Sequence, residues 1–161
     1  MADLTVTITE SLPDYNGTDN DLTITNALSV SGVDDIYHRV VTVPNGVDTT
    51  LANFHATTGV ADSSLDVENV KYIRVTNLDG ANAVNLSLQI DAGEDDSAAD
   101  ASTTILLEAG KSFMMGAPSD GIATDDDAAT VITTLNNLES IIADSGSNAV
   151  QCEIFIASVV A

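Results

Sequence analysis

The sequence predicts an all-β fold, an antiparallel β-sandwich of jelly-roll type with eight or more short strands. Aliphatic residues alternate with Thr, Ser or Asn in most apolar segments, which is the pattern of a strand with one buried face. Turn-forming residues recur at intervals of about 8 to 12 residues, as they do in sandwiches. The chain has three Phe, three Tyr and no Trp, so its core must be aliphatic. We expect a single domain over residues 1–161, a common domain length.

Four strands are predicted in the first half of the chain. Residues 4–9 alternate strictly and predict a half-buried strand, and residues 14–21 are turn formers. In the second strand, 22–30, Asn26 interrupts the apolar side and indicates a bulge. The third and fourth strands are 36–43 and 49–58, the latter with Ala52, Phe54 and Ala56 directed inward.

The second half begins with a segment, 65–70, that fits either one helical turn or the start of a strand. Residues 70–77 and 84–90 predict a hairpin around Asp79 and Gly80, where a tight reversal requires left-handed backbone. Strands are also predicted over 103–108, 111–115 and 150–157, and the acidic segments 91–101 and 118–127 predict exposed loops.

Residues 128–143 are ambiguous. Leu135, Leu138, Ile141 and Ile142 have helical spacing, but the segment is rich in Thr and Asn, which favour strands and turns. We favour strands, because residues 145–148 predict a reversal into the last strand.

The charge excludes whole classes of partner. The chain has 25 acidic and four basic residues, a formal net charge of -21. Binding to nucleic acid or to an anionic membrane needs clustered Lys and Arg, which four scattered bases do not supply. Disorder is also excluded, because 44% of the residues are hydrophobic and the mean hydropathy is +0.17. We therefore expect a folded, soluble protein with an acidic surface.

The remaining sequence signals concern the compartment. The single cysteine, Cys152, lies on the apolar side of an alternating run, so we expect a buried structural thiol and folding in a reducing cytosol. The first residues lack a basic and an apolar signal region, and we find no apolar run long enough to span a membrane. We expect synthesis in the cytoplasm.

Candidate catalytic residues are few, and we expect no enzyme. His38 and His55 lie within predicted strands and outside any metal-ligand spacing, so each is interpreted as a structural histidine rather than a catalytic one. We find no nucleophile elbow, phosphate-binding loop or dinucleotide fingerprint in the sequence.

One loop is a candidate for calcium. Asp14, Asn16, Asp19 and Asp21 surround Gly17, and their hard oxygen atoms are ligands that Ca²⁺ accepts. The register is not that of an EF-hand, and the alternative is an ordinary solvated turn. The acidic runs 94–96 and 125–127 are interpreted as solvated charge. We assign no cofactor.

A resemblance is carried by residues 70–79, 83–90 and 105–113, together with 4–10 and 150–157. In strand texture these segments resemble small all-β virion structural proteins of tailed bacteriophages. The resemblance implies a protein without chemistry of its own. It implies a capsid decoration (cement) protein, or another head, neck or tail component, that assembles with the major capsid protein and as a homo-oligomer. It brings no functional residue with it.

The alternative function is a binding module, a β-sandwich that recognises carbohydrate or another surface ligand through a calcium-dependent loop. The 14–21 loop favours it, because loops cluster at the ends of sandwiches. The absence of Trp and the shortage of Tyr argue against it, because sugar sites use aromatic platforms. The outward Thr and Asn residues fit either a hydrated sheet face or a face that packs against neighbouring subunits.

Overall fold

The computed structural model describes residues 1–15, 17, 20–55, 64–91, 101–125 and 130–159. These residues form strands and loops, with no helix among them, so the all-β prediction is confirmed. The strands are β1 (Ala2–Tyr15), β2 (Asn20–Val33), β3 (Asp35–Val43), β4 (Thr49–His55), β5 (Ser64–Asp66), β6 (Val70–Asn77), β7 (Val84–Asp91), β8 (Ala101–Leu107), β9 (Ser112–Met115), β10 (Asn137–Asp144) and β11 (Val150–Ser158).

Strands β3 to β11 form a jelly-roll sandwich. The four-stranded sheet has the order β3-β11-β6-β9 and the five-stranded sheet the order β5-β4-β10-β7-β8. The pairs are nested along the chain: β3 pairs with β11, β4 with β10, β6 with β9 and β7 with β8. All of these pairs are antiparallel, and only the short β5 runs parallel to its neighbour β4. This nesting is that of one long hairpin rolled into two sheets.

Aliphatic side chains from both sheets fill the space between them. Ile73, Val75 and Ile154 of the four-stranded sheet, and Leu86 and Ile141 of the five-stranded sheet, are fully buried in one continuous cluster. Phe54 is the only aromatic residue among the fully buried side chains of the described residues. The prediction of an aliphatic core is confirmed.

The predicted hairpin of residues 70–77 and 84–90 is wrong, although both strands exist. β6 pairs with β11 and β9 in one sheet, and β7 pairs with β10 and β8 in the other. The six-residue connection is therefore an arch between the two sheets. Gly80 is not among the residues with positive φ, so the left-handed backbone expected there is also absent. The sequence of residues 78–82 favours a tight reversal, but β6 and β7 each pair with strands that are distant in sequence, and this long-range pairing places them in different sheets.

The side chain of Asn77 holds the arch. It is fully buried, and its Nδ2 donates to the carbonyl oxygens of Asn82 (2.8 Å) and Leu107 (3.1 Å). Its Oδ1 accepts from the backbone N–H of Asp79 at 2.9 Å. One amide therefore ties the end of β6 to the arch and to the end of β8, and all three of these bonds lie within hydrogen-bonding distance.

The prediction for residues 128–143 is confirmed where the structure describes a strand. Residues 137–144 form β10, residues 130–136 are irregular, and 128–129 lie outside the described residues. Residues 64–66 form β5, so segment 65–70 starts as a strand and continues into a turn. In β4 both Leu51 and Ala52 are buried, because a register shift opposite Ile141 and Ile142 breaks the alternation. Ala56 lies outside the described residues.

The N-terminal residues form a separate two-stranded ribbon. β1 and β2 pair with each other and with no other described strand, and each has 14 residues, about 45 Å of extended chain. The strand predicted over 4–9 lies within β1 and is half-buried at Leu4 and Val6, as predicted. Ile8, however, is 41% exposed, and the exposure continues beyond the predicted range at Leu12, which is 51% exposed. Asn26 pairs in register with Ile8, so the bulge expected there is absent.

Candidate assembly surface

The two faces of the ribbon differ completely in chemistry. Because side chains alternate along paired strands, the register places eight aliphatic residues on one face: Leu4, Val6, Ile8, Leu12, Leu22, Ile24, Leu28 and Val30. Only Asn26 and Glu10 interrupt that face. The opposite face carries Thr5, Thr7, Thr9, Ser11, Thr23, Thr25, Ala27 and Ser29. We call the first the apolar ribbon face and the second the hydroxyl face.

The apolar ribbon face packs against the sandwich only at its root. There Leu4, Val6 and Val30, together with Val33 at the end of β2, pack against Tyr72, Phe155 and Ala157 on the outer side of the four-stranded sheet. The backbone N–H of Gly32 donates to the carboxylate of Asp3 at 3.1 Å, which joins the two strands at the root. The root is thus a hydrophobic contact on the sheet's outer face.

Farther out, the ribbon leaves the sandwich. Ile8 and Leu28 line one wall of a cleft of about 340 Å³, and Tyr72 of β6 and Met114 of β9 line the other. Beyond that edge, Leu12, Leu22 and Ile24 line a shallow groove with Glu10 and Ser11 and with no residue of the sandwich. Leu28 and the four aliphatic residues from Ile8 outward are 41–51% exposed. Exposed large hydrophobic residues in a contiguous row mark an interaction surface.

A second exposed apolar area lies on β3, at the opposite edge of the four-stranded sheet from β9. Tyr37 and Val43 point toward the core, so the residues between them in alternation point outward. Two of these outward residues, Ile36 and Val40, are each 54% exposed. His38 and Thr42 complete the outward row of the strand. We call this row the β3 face.

One carboxylate links the β3 face to the centre of the sheet. Glu153 of β11 accepts from Nε2 of His38 at 2.9 Å, and its other oxygen pairs with Nη2 of Arg74 at 2.5 Å. The rings of His38 and Phe155 lie 5.9 Å apart, and Arg74 lies over the other side of Phe155. His38, predicted to be structural, thus lies at the surface and is hydrogen-bonded to the carboxylate of Glu153.

The predicted calcium loop lies at the tip of the ribbon. The carboxylate Oδ1 of Asp21 accepts from the backbone N–H of Asp14 at 3.1 Å, and Asp14 has a φ of 54°. This bond closes the tip across the two strands. Asn16 and Asp19 lie outside the described residues, as do residues 94–96 and 126–127. Among the described residues, no three His, Cys, Asp or Glu side chains are grouped as a metal site requires.

The buried thiol prediction is confirmed. Cys152 is fully buried in the four-stranded sheet, paired in register with Val41 and Asn77, and burial raises its pKa to about 11. His55 ends β4 and is half-buried. The described part of the chain contains no helix that is long and apolar enough to cross a membrane.

Comparison with known proteins identifies no family. No family profile and no curated protein matches the chain. One solved structure does, a chain from a study of Bacillus endospore appendages described as disulfide-linked pili. It is 14% identical, and the match covers 78% of this chain and 89% of that one with a TM-score of 0.31. A TM-score this low assigns neither a fold nor a role.

Proposed function

We propose that this protein is a non-enzymatic structural subunit of a bacteriophage particle. In this proposal it is made in the host cytoplasm and acts as a capsid decoration protein, bound to the major capsid protein and to copies of itself. The observation that carries the proposal is the ribbon, a long arm whose apolar face leaves the sandwich uncovered. Aliphatic residues that are exposed along an arm of the isolated subunit indicate that another molecule covers the arm in an assembly.

Two further features support this role. The jelly roll is an architecture that many viral capsid proteins use, although a fold alone does not fix a function. The strand texture of residues 70–79 and 83–90 adds the resemblance to phage structural proteins. The net charge of -21 suits an outer surface, where like charges keep particles apart and no contact with packaged DNA is needed.

Mass spectrometry of density-banded particles of the encoding phage tests the proposal. We expect the protein in many copies per particle, in a fixed ratio to the major capsid protein. Particles grown without the gene should band normally but lack this component and be less resistant to heat. Recovery of the protein only from the soluble lysate, with none in the particles, would exclude the proposal.

A further inference from the structure

We infer that the apolar ribbon face of one copy binds the β3 face of a second copy of this chain. The inference rests on the proposed assembly role and names the partner of the ribbon. The first argument is continuity. The root of the same ribbon face already packs on the outer side of the four-stranded sheet, against Tyr72 and Ala157. The outer part of the ribbon presents aliphatic residues of the same kind as the root. The β3 face lies on the outer side of the four-stranded sheet, where the root packs.

The second argument is the match of exposed apolar residues. Leu12, Leu22 and Ile24 stand clear of their own sandwich at the outer end of the ribbon. Ile36 and Val40 stand clear at the β3 edge, across the sheet from β9, where the ribbon departs. A ribbon that leaves over the β9 edge cannot also cover the β3 edge of its own sheet. A second copy supplies the missing cover for both.

The third argument is charge. On a chain with 25 acidic and four basic residues, most of the surface repels another copy. The apolar ribbon face carries one acid, Glu10. The outward row of the β3 face carries none. Beside it, Glu153 is matched by His38 and Arg74, and the carboxylate of Asp35 accepts from the backbone N–H of Ile36 at 2.8 Å. These two faces therefore meet with little like-charge repulsion, and Glu10 brings a carboxylate to a surface that holds an arginine and a histidine.

The area sets how the copies associate. The outer ribbon face is about 20 Å long and about 10 Å wide, well below the roughly 800 Å² per partner of a standard stable interface. A single contact is therefore weak. Each copy has one ribbon and one β3 face. In a closed symmetric oligomer every ribbon binds the β3 face of a neighbouring copy, so at least two contacts form together and the oligomer depends on protein concentration.

Sedimentation velocity on the purified full chain, at about 0.3 M NaCl to screen repulsion, tests the inference. The ribbon variant is Leu22→Thr with Ile24→Thr, because threonine keeps the strand propensity while removing the apolar surface. Its control is Thr23→Ser with Thr25→Ser, on the hydroxyl face of the same strand. We expect the ribbon variant to weaken self-association roughly ten- to hundredfold, and the control to leave it unchanged. A control that dissociates as fully as the ribbon variant would attribute the loss to melting of the ribbon and overturn the inference.

A second variant tests the receiving surface. Ile36→Thr with Val40→Thr should dissociate the oligomer as the ribbon variant does, with Thr42→Ser as its control. Mixed together, the two variants form one ribbon–β3 contact per pair instead of two, so the mixture should associate more weakly than the wild type but, at high protein concentration, detectably more than either variant alone. Failure of the mixture to associate would overturn the pairing of these two surfaces.

Two outcomes separate this inference from the proposed function. A wild-type chain that stays monomeric at high concentration and high salt, yet enters particles through its ribbon, would show that the ribbon binds another virion protein and would overturn self-binding. A chain that forms the oligomer through its ribbon but is absent from particles would support self-binding and exclude the virion role.

Discussion

At the residue scale, the fully buried side chain of Asn77 bonds three backbone groups around the arch between the two sheets. Asn77→Ala removes the amide and leaves the buried Leu107 carbonyl and the half-buried Asp79 N–H without this partner. A buried polar group without a partner costs about 1–3 kcal/mol, so we expect a loss of about 3 kcal/mol in the free energy of unfolding. Urea denaturation measures it. The exposed Asn85, changed to Ala, is the control and should shift stability by less than about 0.5 kcal/mol.

Asp79 gives the same arch a dependence on pH. Its carboxylate accepts from the backbone N–H groups of Ala81 and Asn82, and these bonds lower its pKa below the usual 3.8. A lowered pKa in the folded state means that the stabilisation is present above the ordinary pKa and is lost as pH falls through the lowered value. We expect the stability difference between wild type and Asp79→Asn to be constant near neutral pH and to shrink below about pH 4. A difference that grows with acid would contradict this assignment.

Cys152 should be inert in the folded protein. Because burial raises its pKa to about 11, its thiolate is scarce at about pH 8, and the side chain is also closed to reagents. We expect negligible labelling by a thiol reagent in buffer and complete labelling in concentrated urea, with Cys152→Ala as the blank. The raised pKa also means that its contribution to stability is lost as pH rises from about 9 toward 11. Rapid labelling without denaturant would show that the sheet opens locally.

At the element scale, strands were predictable and their partners were not. Residues 36–43, 70–77 and 150–157 carry their alternation in the sequence, and the structure has strands there. Pairing follows a nested order in which β3 meets β11 across more than 100 residues, and no local signal specifies that. Asp79 and Gly80 suit both a hairpin and an arch, so the local sequence does not distinguish them. In the arch, the side chain of Asp79 accepts from the backbone of the bend, and Gly80 does not adopt positive φ.

The ribbon was missed for a physical reason of its own. Alternation in residues 4–9 and 22–30 indicates that one face of each strand is buried. It does not indicate whether the chain's own core or another molecule buries that face. The signal that was available is the run of residues from Leu4 to Pro13 with a single charge, Glu10, in a chain otherwise rich in acids. A charge-poor amphipathic segment on a strongly charged protein favours burial against a partner over exposure to water.

Removing the ribbon tests whether the sandwich is independent of it. Every strand pair of the jelly roll lies within residues 35–158, so a chain that starts at Asp34 should keep its β-sheet circular dichroism and a cooperative thermal transition. The exposure of Tyr72 and Ala157 should cost about 1–3 kcal/mol. Full-length protein carrying Thr5→Ser on the hydroxyl face is the control. Loss of the cooperative transition in the shortened chain would show that the root is part of the folding core.

At the scale of the whole molecule, charge decides which surfaces can meet. A formal charge of -21 on 161 residues acts between copies at all orientations, whereas the apolar attraction acts only where the ribbon and a matching face touch. In the four-stranded sheet, His38 and Arg74 flank Glu153 and leave this side less negative than the composition suggests. Arg74, one of the four basic residues of the chain, therefore neutralises the carboxylate that pairs in register with Val40 of the β3 face.

This balance predicts that low salt dissociates the assembly before it unfolds the subunit. The Debye length is about 30 Å at 0.01 M salt and about 8 Å at 0.15 M, so repulsion between copies grows steeply as salt is removed. Sedimentation at about 10 mM and about 300 mM NaCl should show smaller species at the lower concentration, while circular dichroism stays that of the folded sandwich. A few millimolar Mg²⁺ should restore association at a far lower concentration than Na⁺ does, because divalent ions screen acids more strongly. An interface held by ion pairs would tighten at low salt instead. Growth of the oligomer as salt is removed would therefore place the contact on charged residues and not on the apolar faces of the ribbon and β3.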